Sequence, residues 1–132
     1  MARPRGSGFR GFGVLVVALL AACNKSPTVP SAGNTPPVAT NTVTITSTGV
    51  SPRNLLIDLG TRVLFVNNDT RSHNMTSDPH PDHNDCPDLN QVGFLLPGQS
   101  RETGNLVELR TCGFHDHDNP SQANLTGQIV TR

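Results

Sequence analysis

The stretch Leu55-Leu56-Ile57-Asp58-Leu59-Gly60-Thr61-Arg62-Val63-Leu64-Phe65-Val66 reads as two strands and the turn between them. Its two ends are short runs of β-branched, aliphatic and aromatic residues, and Asp58-Leu59-Gly60-Thr61 between them carries turn formers. Asn67-Asn68-Asp69 closes the second run with residues that tolerate left-handed conformations. Working outward, Val43-Thr44-Ile45-Thr46 precedes this unit, and Ser72 to Thr76, Val92 to Leu96, Asn105 to Arg110 and Gln128 to Thr131 follow it. Pro97-Gly98 and Gly104 fall at turns, and residues 78–91, with Pro79, Pro81 and Pro87, read as a long loop. Nowhere do apolar residues recur at helical spacing over three turns. About seven short strands joined by turns predict an all-β chain, an antiparallel β-sandwich.

The first residues read as an export signal. Arg3, Arg5 and Arg10 precede an apolar run from Val14 to Leu20, too short to span a bilayer. The run ends in Leu20-Ala21-Ala22-Cys23, which resembles the bacterial lipobox and implies removal of residues 1–22 and a lipid on Cys23. Residues 23–41 are rich in Pro, Ser, Thr and Asn without apolar periodicity and read as a tether. Residues 42–132 suffice for one domain with a modest core. Past the signal, seven basic residues stand against ten acidic ones, a net charge of about −3. With no basic patch, nucleic-acid binding has no support. The expected location is the periplasmic side of the cell envelope, with the outer membrane favoured because Asn24, not aspartate, follows Cys23.

Several pieces, in order, resemble the small blue-copper proteins of the plastocyanin type, the cupredoxins. Gly49-Val50-Ser51-Pro52 with Leu55-Leu56-Ile57 is similar to their second strand, and Gly60 to Asn67 to their Gly-x-x-Val-x-Phe-x-Asn strand. Ser72-His73-Asn74 falls where the family places its first histidine ligand, and Pro97-Gly98-Gln99-Ser100 resembles its proline-glycine turn. Cys112-Gly113-Phe114-His115 resembles the Cys-x-x-His loop, and Gly127 to Val130 the closing strand. The resemblance implies a Greek-key sandwich, copper as cofactor, and His73, Cys112 and His115 as ligands meeting at one end of it. It also implies a monomeric, non-enzymatic electron carrier that serves a redox partner protein. A thiolate and two imidazoles suit such copper chemistry, and no nucleophile motif, phosphate loop or zinc-protease helix competes.

Other features leave alternatives open. Leu125 stands where the family carries an axial methionine, and Met75 reads as core. His115-Asp116-His117 makes His117 a further candidate ligand, provided the chain stays extended so that both imidazoles point one way. His80 and His83 read as part of a solvated acidic loop in which Pro79 and Pro81 space the imidazoles without closing them on one point. With Cys23 lipidated, Cys86 and Cys112 are either two thiols or one disulfide. A disulfide would leave a copper-binding or copper-delivery protein with an imidazole site of His73, His115 and His117. A metal-free interaction sandwich is the third reading.

Overall fold

The computed structural model describes residues 36–132. The export signal, Cys23 and the tether as far as residue 35 lie outside the described residues. Ten strands follow in order: β1 (Val38–Ala39), β2 (Thr42–Thr46), β3 (Gly49–Ser51), β4 (Asn54–Ile57), β5 (Leu64–Asn67), β6 (His73–Ser77), β7 (Gly93–Leu95), β8 (Ser100–Glu102), β9 (Thr111–Asp116) and β10 (Gly127–Thr131). They form a sandwich of two sheets, ordered β1-β4-β10-β9-β6-β7 and β3-β2-β5-β8. The sheets are mixed: β1 with β4, β4 with β10, and β2 with β5 run parallel, and the other pairs antiparallel. Val38 and Ala39, in the stretch that reads as tether, pair with Leu55 and Leu56.

The alternation read from the sequence decides the core. In β2, Val43 and Ile45 are buried between half-buried threonines, and in β5 Phe65 is buried between Leu64 and Val66. Ile129, Leu55, Met75 and Phe114 complete the facing layer. The rings of Phe65 and Phe114 meet edge to face, 5.2 Å between centroids, and tie the two sheets together.

Residues 105–110 depart from the expected strand. Only Leu106 bridges, to Thr61, and Val107 and Leu109 are 64% and 71% exposed. This segment leaves the four-stranded sheet at β8 and enters the six-stranded one at β9, so its backbone cannot stay in either ladder. Its bonds show the crossing: the amide of Leu106 donates to the Thr61 carbonyl, and that of Arg110 to the Thr131 hydroxyl.

Leucine at Phe65 and Phe114, singly and together, should give a coupling of about 0.5–1.5 kcal/mol in a double-mutant cycle read from urea unfolding. Strictly additive costs would show that the ring geometry contributes nothing beyond buried area.

Candidate metal site

Strand β9 stays extended through Asp116, and its backbone register continues one residue further, where the amide of His117 donates to the Asn74 carbonyl at 2.7 Å. Side chains therefore alternate across the sheet. Cys112 and Phe114 point into the core, with Asp116 on the same side, whereas Gly113, His115 and His117 share the outer face. An outward residue is normally wet, yet His115 is only 3% exposed. Residues 78–86 cover it.

This covering loop is folded back by its own bonds. The amide of His83 donates to the Pro79 carbonyl, and that of Asp85 to the Asp78 carbonyl. The His83 carbonyl accepts from the Ser77 hydroxyl at 2.8 Å and from the Asn90 side-chain amide at 2.7 Å. His83 itself sits at φ +50°, a left-handed conformation that a bulky residue adopts only where its surroundings impose it. Asp78 lies against Gly113, where a Cβ would collide with its carboxylate, so glycine at 113 is what lets Asp78 reach His115.

The result is a cluster of four imidazoles. One ring nitrogen from each of His80, His83, His115 and His117 lies within 4.8 Å of the others. Two of the rings are oriented from behind. His115 Nδ1 faces Asp78 Oδ1 at 2.6 Å, and His83 Nδ1 faces the Ser77 carbonyl at 2.9 Å. With the proton on Nδ1 in each, the Nε2 lone pairs are left for the cluster, the outer arrangement that metal-ligating histidines use. His115 Nε2 is buried without a hydrogen-bond partner among the described residues. His117 Nδ1 is 2.8 Å from His83 Nε2, about the spacing of two adjacent nitrogens each about 2.0 Å from one ion. Desolvation, followed by the charges of His117, His115 and His83, lowers the pKa of His80 and favours its neutral, ligating form.

The expected trio does not meet. Cys112 is bonded to Cys86, with their Cα atoms 5.7 Å apart, so it has no thiolate to offer. His115 lies three positions after Cys112, an odd step that places them on opposite faces of an unbroken strand. His73 is buried between Asp69 Oδ2, 3.0 Å from its Nε2, and Asp116 Oδ2, 2.9 Å from its Nδ1. Both of its ring nitrogens are thus engaged by carboxylates. Leu125 fills core, as does Met75. His115 and His117 do come together, joined by His80 and His83, which the sequence reading set aside. The available signal was the pair of spacings His80-x-x-His83 and His115-x-His117, which hold four of the chain's five histidines.

Comparison with known proteins bears on the fold. No family model matches the chain, and no curated protein does. Among solved structures, a purple cupredoxin from Nitrosopumilus maritimus aligns over 70% of this chain and 100% of its own, at 19% identity and TM-score 0.55. Oxidized plastocyanin from Dryopteris crassirhizoma aligns over 69% and 99%, at 18% identity and TM-score 0.54. An amicyanin mutant in its Cu(I) form aligns over 72% and 86%, at 19% identity and TM-score 0.54. The sandwich is therefore the cupredoxin fold.

The Asp69-His73-Asp116 group makes stability depend on acid. Burial opposes the charge of Asp69, but hydrogen bonds from His73, Arg71 and the Thr70 amide, together with the Arg71 charge, hold its pKa down to about 2 against an ordinary 3.8. Burial likewise opposes the charge of Asp116, and bonds from the Asn74 amide, His73, Asn119 and the Asp118 amide lower its pKa. A depressed carboxyl contributes stability in full above its unfolded value and loses it as pH falls through the folded one. The urea midpoint should fall between about pH 4 and pH 2, with a shallower slope in Asp69→Asn. An unchanged slope in that variant would remove Asp69 from the account.

Proposed function

We propose that this chain is a copper-binding protein of the bacterial cell envelope, holding one copper ion on His80, His83, His115 and His117 and passing it to a partner protein. The observation that carries the reading is the convergence of four imidazoles around the buried, unpartnered Nε2 of His115. Imidazole nitrogens suit copper, and among common divalent ions copper binds such a set most tightly. The cupredoxin fold supports copper over zinc by analogy, since the amicyanin relative is described in a Cu(I) form.

The donor set also points to what the ion does there. Cuprous copper is selected by thiolate and thioether, and the cluster has neither. A site that grips the cupric state better than the cuprous one suits uptake and release. His80 is exposed and His83 and His117 half-buried, so a partner's ligand can approach from solvent while His115 holds from below. A second reading, one-electron transfer to a redox partner, is favoured by the likeness to plastocyanin over 69% of the chain. In both, a lipid on Cys23 and the tether hold a monomeric domain at the membrane.

Cu(II) titration of the full chain should saturate at one ion per chain without intense blue colour. His115→Ala should weaken binding by at least about tenfold, whereas His73→Asn should lower stability and leave affinity nearly unchanged. Retained affinity in His115→Ala would overturn the site. A reduced, loaded chain that surrenders its copper to a cuprous chelator acts in delivery, and one that keeps it and cycles reversibly is an electron carrier.

Cys23→Ser should move the chain from the membrane fraction to the soluble one. An unchanged membrane fraction would remove the anchor.

A further inference from the structure

We infer that the cleft beside the Cys86–Cys112 disulfide is a dithiol-exchange site, and that this disulfide is the latch of the histidine cluster, whose opening releases the metal. The inference rests on the reading of the cluster as a metal site and adds its regulation and a second partner, a protein dithiol.

The cluster is built from two segments far apart in sequence. His80 and His83 belong to the covering loop, and His115 and His117 to β9 and its extension. Cys86 closes the loop and Cys112 lies in β9, so among the described residues the disulfide is the one covalent tie between the two halves of the site. It also crosses the sheet. His115 lies on the outer face and Cys112 on the core face, so the loop lays its imidazoles over one side and is fastened on the other. The remaining ties include the Asp78 amide to the Gly113 carbonyl, which fastens only the start of the loop, and two pairs with half-exposed carboxylates, Asp85–Arg110 at 3.3 Å and Asp78–His115. Such pairs in contact with water add little each.

Both cysteines, buried themselves, line the floor of a cleft of about 170 Å³ whose other walls are Pro87, Asp88, Leu106, Val107, Glu108 and Arg110. The segment that frames it is the sheet-to-sheet crossing, where Val107 and Leu109 stand out into solvent, an apolar rim beside a disulfide. These features fit an incoming protein dithiol.

The exchange balances without another reactant. A thiolate of the partner, entering by the cleft as the loop opens locally, attacks the sulfur of Cys86, the less deeply buried of the two cysteines at 3% against 0% exposed, and the S–S electron pair leaves on Cys112 Sγ. The partner's second thiolate then attacks its own sulfur in the mixed disulfide and releases Cys86. The partner departs as a disulfide, its two electrons and two protons having passed to Cys86 and Cys112. The loop is then held by hydrogen bonds alone, among them those of the His83 carbonyl to Ser77 and Asn90, and as these open His80 and His83 leave His115 and His117. By reciprocity, a bound metal makes the disulfide harder to reduce. The metal would be kept under oxidising conditions and surrendered where a dithiol arrives.

The test uses the full chain in detergent, loaded with one redox-inert Zn(II) and treated with a phosphine reductant that binds zinc weakly. Thiols and chelatable zinc are followed together, with the amide signals of β2 and β5 as the record of the fold. The expected result is that two thiols and one zinc appear at the same rate, with sheet amides retained and zinc affinity lowered about tenfold or more. Two thiols with zinc retained would overturn the latch, as would loss of the sheet amides along with the disulfide. On the metal-free chain, dithiothreitol should reduce the disulfide faster than the sheet amides exchange, and Val107→Asp/Leu109→Asp should slow a protein dithiol more than dithiothreitol. Reduction no faster than sheet exchange would overturn the exchange site. Failure of the parent to take up Zn(II) or Cu(II) would sink the metal reading alone, leaving the exchange site to be judged on the metal-free chain.

Discussion

The period-two geometry of one unbroken strand governs the rest of this molecule. Because β9 runs extended from Thr111 to Asp116, and its register persists to His117, every second side chain must face the core and every other one must leave it. Cys112 and Phe114 join the buried layer, and His115 and His117 stand together on the outer face. Had the chain turned after Cys112, the cysteine and His115 could have met at the end of the sandwich. With no turn there, the sulfur and the imidazole are divided by the sheet. The sulfur pairs with Cys86 on the core side, and the loop that carries His80 and His83 covers the outer one.

Asp116 is what keeps the strand extended where the sequence would let it wander. Its carboxylate accepts from the Asn74 and Asp118 amides, from the Asn119 side chain and from His73, and it sits between the two histidines of the outer face. His73 thereby acts on the site without touching it. It holds Asp116 from one side and Asp69 from the other, and Asp69 is held in turn by Arg71 at 2.9 Å. The place expected of a metal ligand is taken by a buried charge group that fixes the backbone under the four imidazoles. Such networks are costly unless every member is satisfied, and here both carboxylates and both ring nitrogens have partners.

The all-β sandwich was legible in the sequence because alternation and turn residues are local signals. Val43-Thr44-Ile45-Thr46 and Leu64 to Val66 carry their burial pattern on their face, and the order of motifs from Gly60 to Gly127 was enough to name the fold. The parallel pairings were not legible, since they join strands distant in sequence and depend on how connections cross. The site was half legible. His115-Asp116-His117 announced itself under the condition that the chain stay extended, and it does. His80 and His83 do not announce themselves, because Pro79 and Pro81 space the imidazoles without closing them on one point; closure comes from bonds the sequence does not display, among them Ser77 and Asn90 to the His83 carbonyl. Cys112 was misplaced because the Cys-x-x-His motif says nothing of whether its strand has ended.

The proposed site offers its metal nitrogen and not sulfur. X-ray absorption at the copper edge of the loaded full chain tests it most directly, because a copper–sulfur shell is distinct in distance and scattering from a shell of imidazoles. Nitrogen scatterers at about 2.0 Å are expected, with the outer-shell pattern of several histidine rings and no sulfur. A sulfur shell at about 2.1–2.3 Å would contradict it, since Cys112 would then have left the disulfide to bind the metal.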